Sequence, residues 1–128
     1  MMAVMTRRKP RIINTSLLIQ AISKLDLPLY DKKHNLYLHI EGRARSNQTR
    51  VDHIVEFGHN LKVRDIETIN DLNNYSFFKK DSSYKHTVNY YFKRQGRDKG
   101  MIKIAARVSE INPTKAWIKT IYITYRIK

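Results

Sequence analysis

The sequence predicts an α+β domain in which N-terminal helices pack on a four-stranded antiparallel sheet. Three observations predict it. Up to Leu72 the apolar residues of three segments recur at helical spacing, from Tyr75 onward they alternate, and the alternating runs are joined by short polar turns.

Residues 1–13 read as a flexible basic arm, because Thr6-Arg7-Arg8-Lys9-Pro10-Arg11 has no apolar period. Residues 14–128 then form one domain, with a core over 49–128. Asn14-Thr15-Ser16 offers an N-cap. Leu17, Leu18, Ala21, Ile22 and Leu25 make one helical stripe, which ends near Asp26-Leu27-Pro28. Asn35 to Ile40 alternates as a strand, with Leu36, Leu38 and Ile40 on one side and Tyr37 and His39 on the other. Gly42 to Gln48 is a polar, basic loop.

Thr49 to Phe57 reads as a short helix. Thr49 caps it, with Asp52 three residues on, and Val51, Ile54 and Val55 form its buried stripe before Gly58 ends it. Val63 to Leu72 is a further helix, with Val63, Ile66, Ile69 and Leu72 inward. Asp65 and Glu67 stand in its first turn, where the helix dipole favours acids. Four strands follow, over Tyr75–Lys79, His86–Arg94, Met101–Val108 and Ala116–Ile127. In the third, Ile102, Ile104, Ala106 and Val108 face the core, with Lys103 and Arg107 turned away. In the fourth, Trp117, Ile121, Ile123 and Ile127 form the apolar row and Thr120, Tyr122, Thr124 and Arg126 the other. In the second, Val88, Tyr90 and Phe92 oppose Asn89, Tyr91 and Lys93.

Charge says most about function. Lys plus Arg number 25 against 11 Asp plus Glu, a balance of +14, and a polyanion is the simplest partner that relieves such self-repulsion. The excess is uneven. Residues 51–75 carry two basic and five acidic groups, whereas residues 76–128 carry thirteen basic and three acidic, so the sheet half and the N-terminal arm face the polyanion. RNA, or another nucleic acid, is the expected partner. The expected contacts are Lys93, Lys103, Arg107 and Arg126 on the sheet, with Arg7, Arg8 and Lys9 on the arm. Tyr, Thr and Asn on the same sheet face suit base stacking and phosphate contact.

Other classes are excluded or unsupported. There is no cysteine, no His-Glu-x-x-His and no paired-carboxylate motif, so no metal site and no cofactor is expected. No apolar run approaches the length that spans a bilayer, and Met1 to Met5 carries no apolar signal core; a cytoplasmic protein without membrane contact is expected. RNA cleavage needs no metal, because the 2′-OH is an internal nucleophile. It needs a base, an acid and cations for the phosphorane charge. Of five histidines, His53 lies beside the apolar stripe of its helix, His59 follows the glycine cap, and His86 begins a strand. His34 and His39 have no evident company.

Val51-Asp52-His53-Ile54-Val55-Glu56-Phe57-Gly58-His59 resembles the helix that opens the catalytic domain of phage-borne nucleases of the barnase, EndoU, colicin E5/D and RelE-like group. That helix tends to read His-Ile-x-Glu-x-His. A second short helix and a four-stranded antiparallel sheet follow it, and Lys119-Thr120-Ile121-Tyr122 stands where members carry a Thr-x-Tyr-like element. The resemblance covers residues 50–128, and Gly58 replaces the usual Arg before the second His. It implies a metal-independent RNase, a toxin or effector of a phage or mobile element, with His53, His59, Thr120 and Tyr122 as catalytic residues and an acidic inhibitor protein as a further partner. The group also includes non-catalytic RNA binders, so a nucleic-acid-binding protein without turnover is the alternative.

Overall fold

The computed structural model describes residues 16–42, 49–56 and 60–126. The arm with Arg7, Arg8 and Lys9, all of the basic loop after Gly42, Gly58, His59 and Ile127 lie outside the described residues.

Helix α1 covers residues 16–23 and buries Leu18 and Ile22. Strands β1 (Leu29–Asp31) and β2 (Leu36–His39) form a hairpin, followed by α2 (Arg50–Glu56) and α3 (Val63–Ile69). A 3₁₀ turn over Leu72–Asn74 leads into β3 (Phe77–Lys80), β4 (Thr87–Lys93), β5 (Met101–Val108) and β6 (Lys115–Thr124). The cap of α2 is as its sequence implies: the Asp52 N–H donates to Thr49 Oγ1 at 3.1 Å.

The α+β class holds, but the sheet has six strands in the order β1-β2-β6-β5-β4-β3. The C-terminal meander is antiparallel, as expected. The N-terminal hairpin extends it, and β2 pairs parallel to β6, so the sheet is mixed. The reason lies in chain order. α2 and α3 carry the chain across one face between β2 and the meander, a crossover that delivers β6 beside β2 in the same direction. The last helix is also shorter than its period suggests, because Leu72 packs from the 3₁₀ turn rather than from α3.

The row assignment of β6 needs correction. Ala116, Ile118, Ile121 and Ile123 are buried, whereas Trp117 faces the other way with Lys115. Ala106 aligns with Ile118 and Ala105 with Thr120, so Lys119 is an extra residue, a β-bulge that shifts the alternation by one. β5 keeps its parity throughout, with Ile102, Ile104 and Ala106 fully buried.

The sheet is strongly curled. If it were flat, four strand spacings of about 4.8 Å would separate β1 from β4 by about 19 Å. Yet the Tyr90 hydroxyl of β4 donates to Asp31 Oδ2 of β1 at 2.7 Å, and the His34 ring stacks on Phe78 of β3 at 3.7 Å between centroids. The apolar face is therefore the inner one, closed over by the three helices and filled by Ile54, Val55, Ile66, Ile69 and Leu72. Asp31 is fully buried and also accepts from His34 Nδ1 at 2.7 Å and from the Lys33 and His34 amides. Burial, then Asp31, pushes the Tyr90 hydroxyl far above its ordinary range, so it stays a donor.

A second buried pair fastens α3 to the meander. Asp65, fully buried, takes both a 3.1 Å bond from Arg94 Nε and a 2.9 Å bond from its Nη2. Arg94 further donates to the carbonyls of Lys99 and Asn60. Asp65 is thus an inward ion-pair partner, not only a first-turn acid favoured by the helix dipole.

Gly100 opens β5 at φ +86°. A Cβ there would stand 2.9 Å from Ile123 Cγ2, from the Thr124 carbonyl oxygen and from Tyr125 Cδ1. Gly100→Ala is expected to cost about 2–3 kcal/mol through the left-handed backbone and the clash with β6. Urea denaturation measures it, and a loss below about 1 kcal/mol would refute this reading.

Candidate nucleic-acid interface

The outer face of the sheet carries the polar row of every strand. In cross-strand register, Tyr122 of β6 pairs with Lys103 of β5, which pairs with Tyr91 of β4. Thr120, Ala105 and Asn89 form the neighbouring row, and Trp117, Arg107 and Thr87 the next. The alternation of β4 and β5 turns these side chains to the outer face for the same reason that it puts Tyr90, Phe92, Ile102 and Ile104 inside, although Tyr91 and Asn89 are themselves covered there, at 1% and 4% exposure.

Lys103 is the centre of this surface. Its Nζ lies 5.7 Å from the Tyr91 ring centroid and 5.4 Å from that of Tyr122, a cation held between two aromatic rings. Burial works against its charge. The Tyr122 hydroxyl, with Tyr91 and Asp81, outweighs that and holds the ammonium above its ordinary range. A depression of about 470 Å³ runs from Lys103 to Arg107, Lys119, Thr120 and Tyr122, with Tyr84, Lys85 and Thr87 on its rim. Arg107 stands 3.7 Å from Glu110 and Lys119 2.7 Å from Glu41, pairs at partly exposed positions that a phosphate can replace.

Aromatic rings flank the cations. Tyr30 and Tyr37 stack at 4.4 Å on the β1–β2 hairpin, Lys115 Nζ lies 4.9 Å over Trp117, and His39 is 5.3 Å from the same indole. Burial first, and the Lys115 charge second, lower the His39 pKa below its ordinary value and so favour the neutral imidazole.

No protein-family model, curated protein or solved structure matches the chain. What the surface can do rests on its own geometry. Among the described residues no three His, Cys, Asp or Glu side chains group as a metal site, and no helix is long and apolar enough to cross a membrane.

Lys93, Lys103, Arg107, Thr120 and Tyr122 all stand on the outer face, and Arg126 lies exposed just past the end of β6. His53 does not join them. Its helix buries Ile54 and Val55 in the core, and His53 is not among the residues that line the depression with Thr120 and Tyr122. The stripe that makes α2 a helix also commits it to the inner face. His34, by contrast, has the company that its sequence neighbourhood does not reveal: Asp31, Tyr75 at 3.3 Å, and Phe78. His86 sits 3.4 Å from Glu110 at an exposed turn.

Proposed function

We propose that this protein binds RNA across the outer sheet face and acts there as a metal-independent, RNase-like domain, in the manner of a toxin or effector. The observation that carries the proposal is the Tyr91–Lys103–Tyr122 row, which adjoins Arg107, Lys119 and Thr120 in one depression. It offers cations for phosphate oxygens, hydroxyls to position them and, in the partly exposed Tyr122, a ring on which a base stacks, Tyr91 itself being buried at 1% exposure. In cleavage the RNA 2′-oxygen would attack the adjoining phosphorus and lose its proton to water while the bond from phosphorus to the 5′-oxygen breaks and that oxygen takes a proton from water, with Lys103, Arg107 and Lys119 balancing the phosphorane charge and Thr120 and Tyr122 orienting its oxygens.

The depression lacks a histidine among the described residues, and that favours a second reading, a nucleic-acid binder without turnover. Turnover separates the two. Purified protein is incubated with total RNA in EDTA and the products run on a gel; cleavage should persist and leave 2′,3′-cyclic phosphate ends. Binding without turnover supports the second reading. Under either, affinity should fall steeply with salt, and Lys103→Ala with Arg107→Ala should reduce the salt slope by about 2. An unchanged slope would remove this face from the interface.

A further inference from the structure

Beside the phosphate depression, a second hollow of about 500 Å³ opens between the β3–β4 loop and the sheet, lined by Lys79, Asp81, Tyr84, Asn89, Tyr91 and Lys103. Its floor holds an anomaly. Asn89 is 4% exposed, its Nδ2 donates to Asp81 Oδ2 at 3.0 Å, and its Oδ1 is buried with no hydrogen-bond partner among the described residues. A buried carbonyl oxygen left unbonded is costly, and a ligand donor is one way such a group is satisfied.

The loop is built to hold that oxygen in place. Asp81 accepts from the Ser83 and Tyr84 amides as well as from Asn89. The Asn89 bond first, then those two amides, hold the Asp81 carboxyl below its ordinary range, so it stays an acceptor and fixes the Asn89 amide group with its oxygen free. The Tyr84 side chain, 71% exposed, makes no hydrogen bond or ring contact with the described residues and stands at the rim. An exposed ring at the rim, a recessed acceptor on the floor and the Lys103 ammonium at the shared wall are the three parts of a nucleobase site.

We infer that this hollow is a base-specificity subsite for an amine-bearing nucleobase, adenine, cytosine or guanine as against uracil, on the RNA that the outer face binds; the inference rests on that reading of the face. An exocyclic amine projects beyond the ring and would reach the Asn89 oxygen, which is closed to solvent in this structure, once the β3–β4 loop draws back. The N3–H of uracil is flanked by two carbonyls that would oppose it. Tyr84 moves to stack on the base, and Lys103 meets the adjoining phosphate.

The test uses the intact protein and short 2′-O-methyl oligonucleotides, which lack the nucleophile and so survive any cleavage. Fluorescence anisotropy should show oligo(A) and oligo(C) bound about tenfold tighter than oligo(U). An oligomer of N6,N6-dimethyladenine, with no amine hydrogen, should fall to the oligo(U) level. Tyr84→Ala, at an exposed position, should weaken oligo(A) and oligo(C) by about fivefold or more and oligo(U) by clearly less, so that the preference narrows. Asn89→Leu, checked for folding by circular dichroism, should level the three. Salt-dependent binding equal for all bases in the wild type overturns the subsite and leaves the face intact. So does a preference that survives dimethylation and Tyr84→Ala. No salt-dependent binding to any oligomer overturns the face as well.

Discussion

Asp65→Ala is expected to destabilise the protein by about 3–5 kcal/mol, a large part of the total stability of a domain this size. The Arg94 side chain is 4% exposed, and removal of Asp65 leaves its guanidinium with carbonyls from Lys99 and Asn60 and a more distant carboxylate, Asp98 at 3.7 Å. Arg94→Ala should cost a similar amount, since it strands the fully buried Asp65 carboxylate and unties the β4–β5 turn from α3. Urea denaturation of the two single variants and the double gives a cycle. The double should cost clearly less than the two singles added, because it leaves neither charge alone. Additive losses would mean that the pair acts by packing and not as an ion pair.

Asp31→Ala should cost about 3 kcal/mol, the next largest effect. It removes the acceptor of the buried Tyr90 hydroxyl, of His34 Nδ1 and of two backbone amides at the hairpin turn. Tyr90→Phe, which deletes one donor and little volume, should cost about 1–2 kcal/mol. The contrast matters because both residues join β1 to β4 across the inside of the curl. If Asp31→Ala loses less than about 1 kcal/mol in urea denaturation, the network does not hold the curl.

The meander was legible in the sequence because each strand has one apolar and one polar row. Met101–Val108 alternates without interruption, and its outward Lys103 and Arg107 followed from parity alone. β6 was less so, since the bulge at Lys119 reverses the alternation and no local signal marks it. β1 has only three residues, too few to show a period, and Asp31 finds Tyr90 59 positions away. Asp65 looks like a helix-end acid until Arg94, 29 residues on, reaches it. His34 was passed over for the same reason: Tyr75, Phe78 and Tyr90 reach its neighbourhood only when the sheet curls. The outer-face cluster was readable as a set of residues but not as a site. Which face α2 occupies decides whether His53 can join it, and that follows from the buried Ile54 and Val55 rather than from the position of His53 beside them.

The 3₁₀ turn has a bearing on self-association. Asn73 donates through Nδ2 to the Tyr30 carbonyl and accepts the Lys32 amide at Oδ1, so one side chain takes a carbonyl on the free edge of β1 and the amide just beyond its end. An added strand would need those same two groups. At the opposite edge β3 spans only four residues and carries Lys79 and Lys80. A short, charged border on one side and a border already bonded by an amide on the other discourage strand exchange between copies. For the RNA binding proposed above, in which copies would crowd along one polyanion, such edges would disfavour fibre growth at high local concentration.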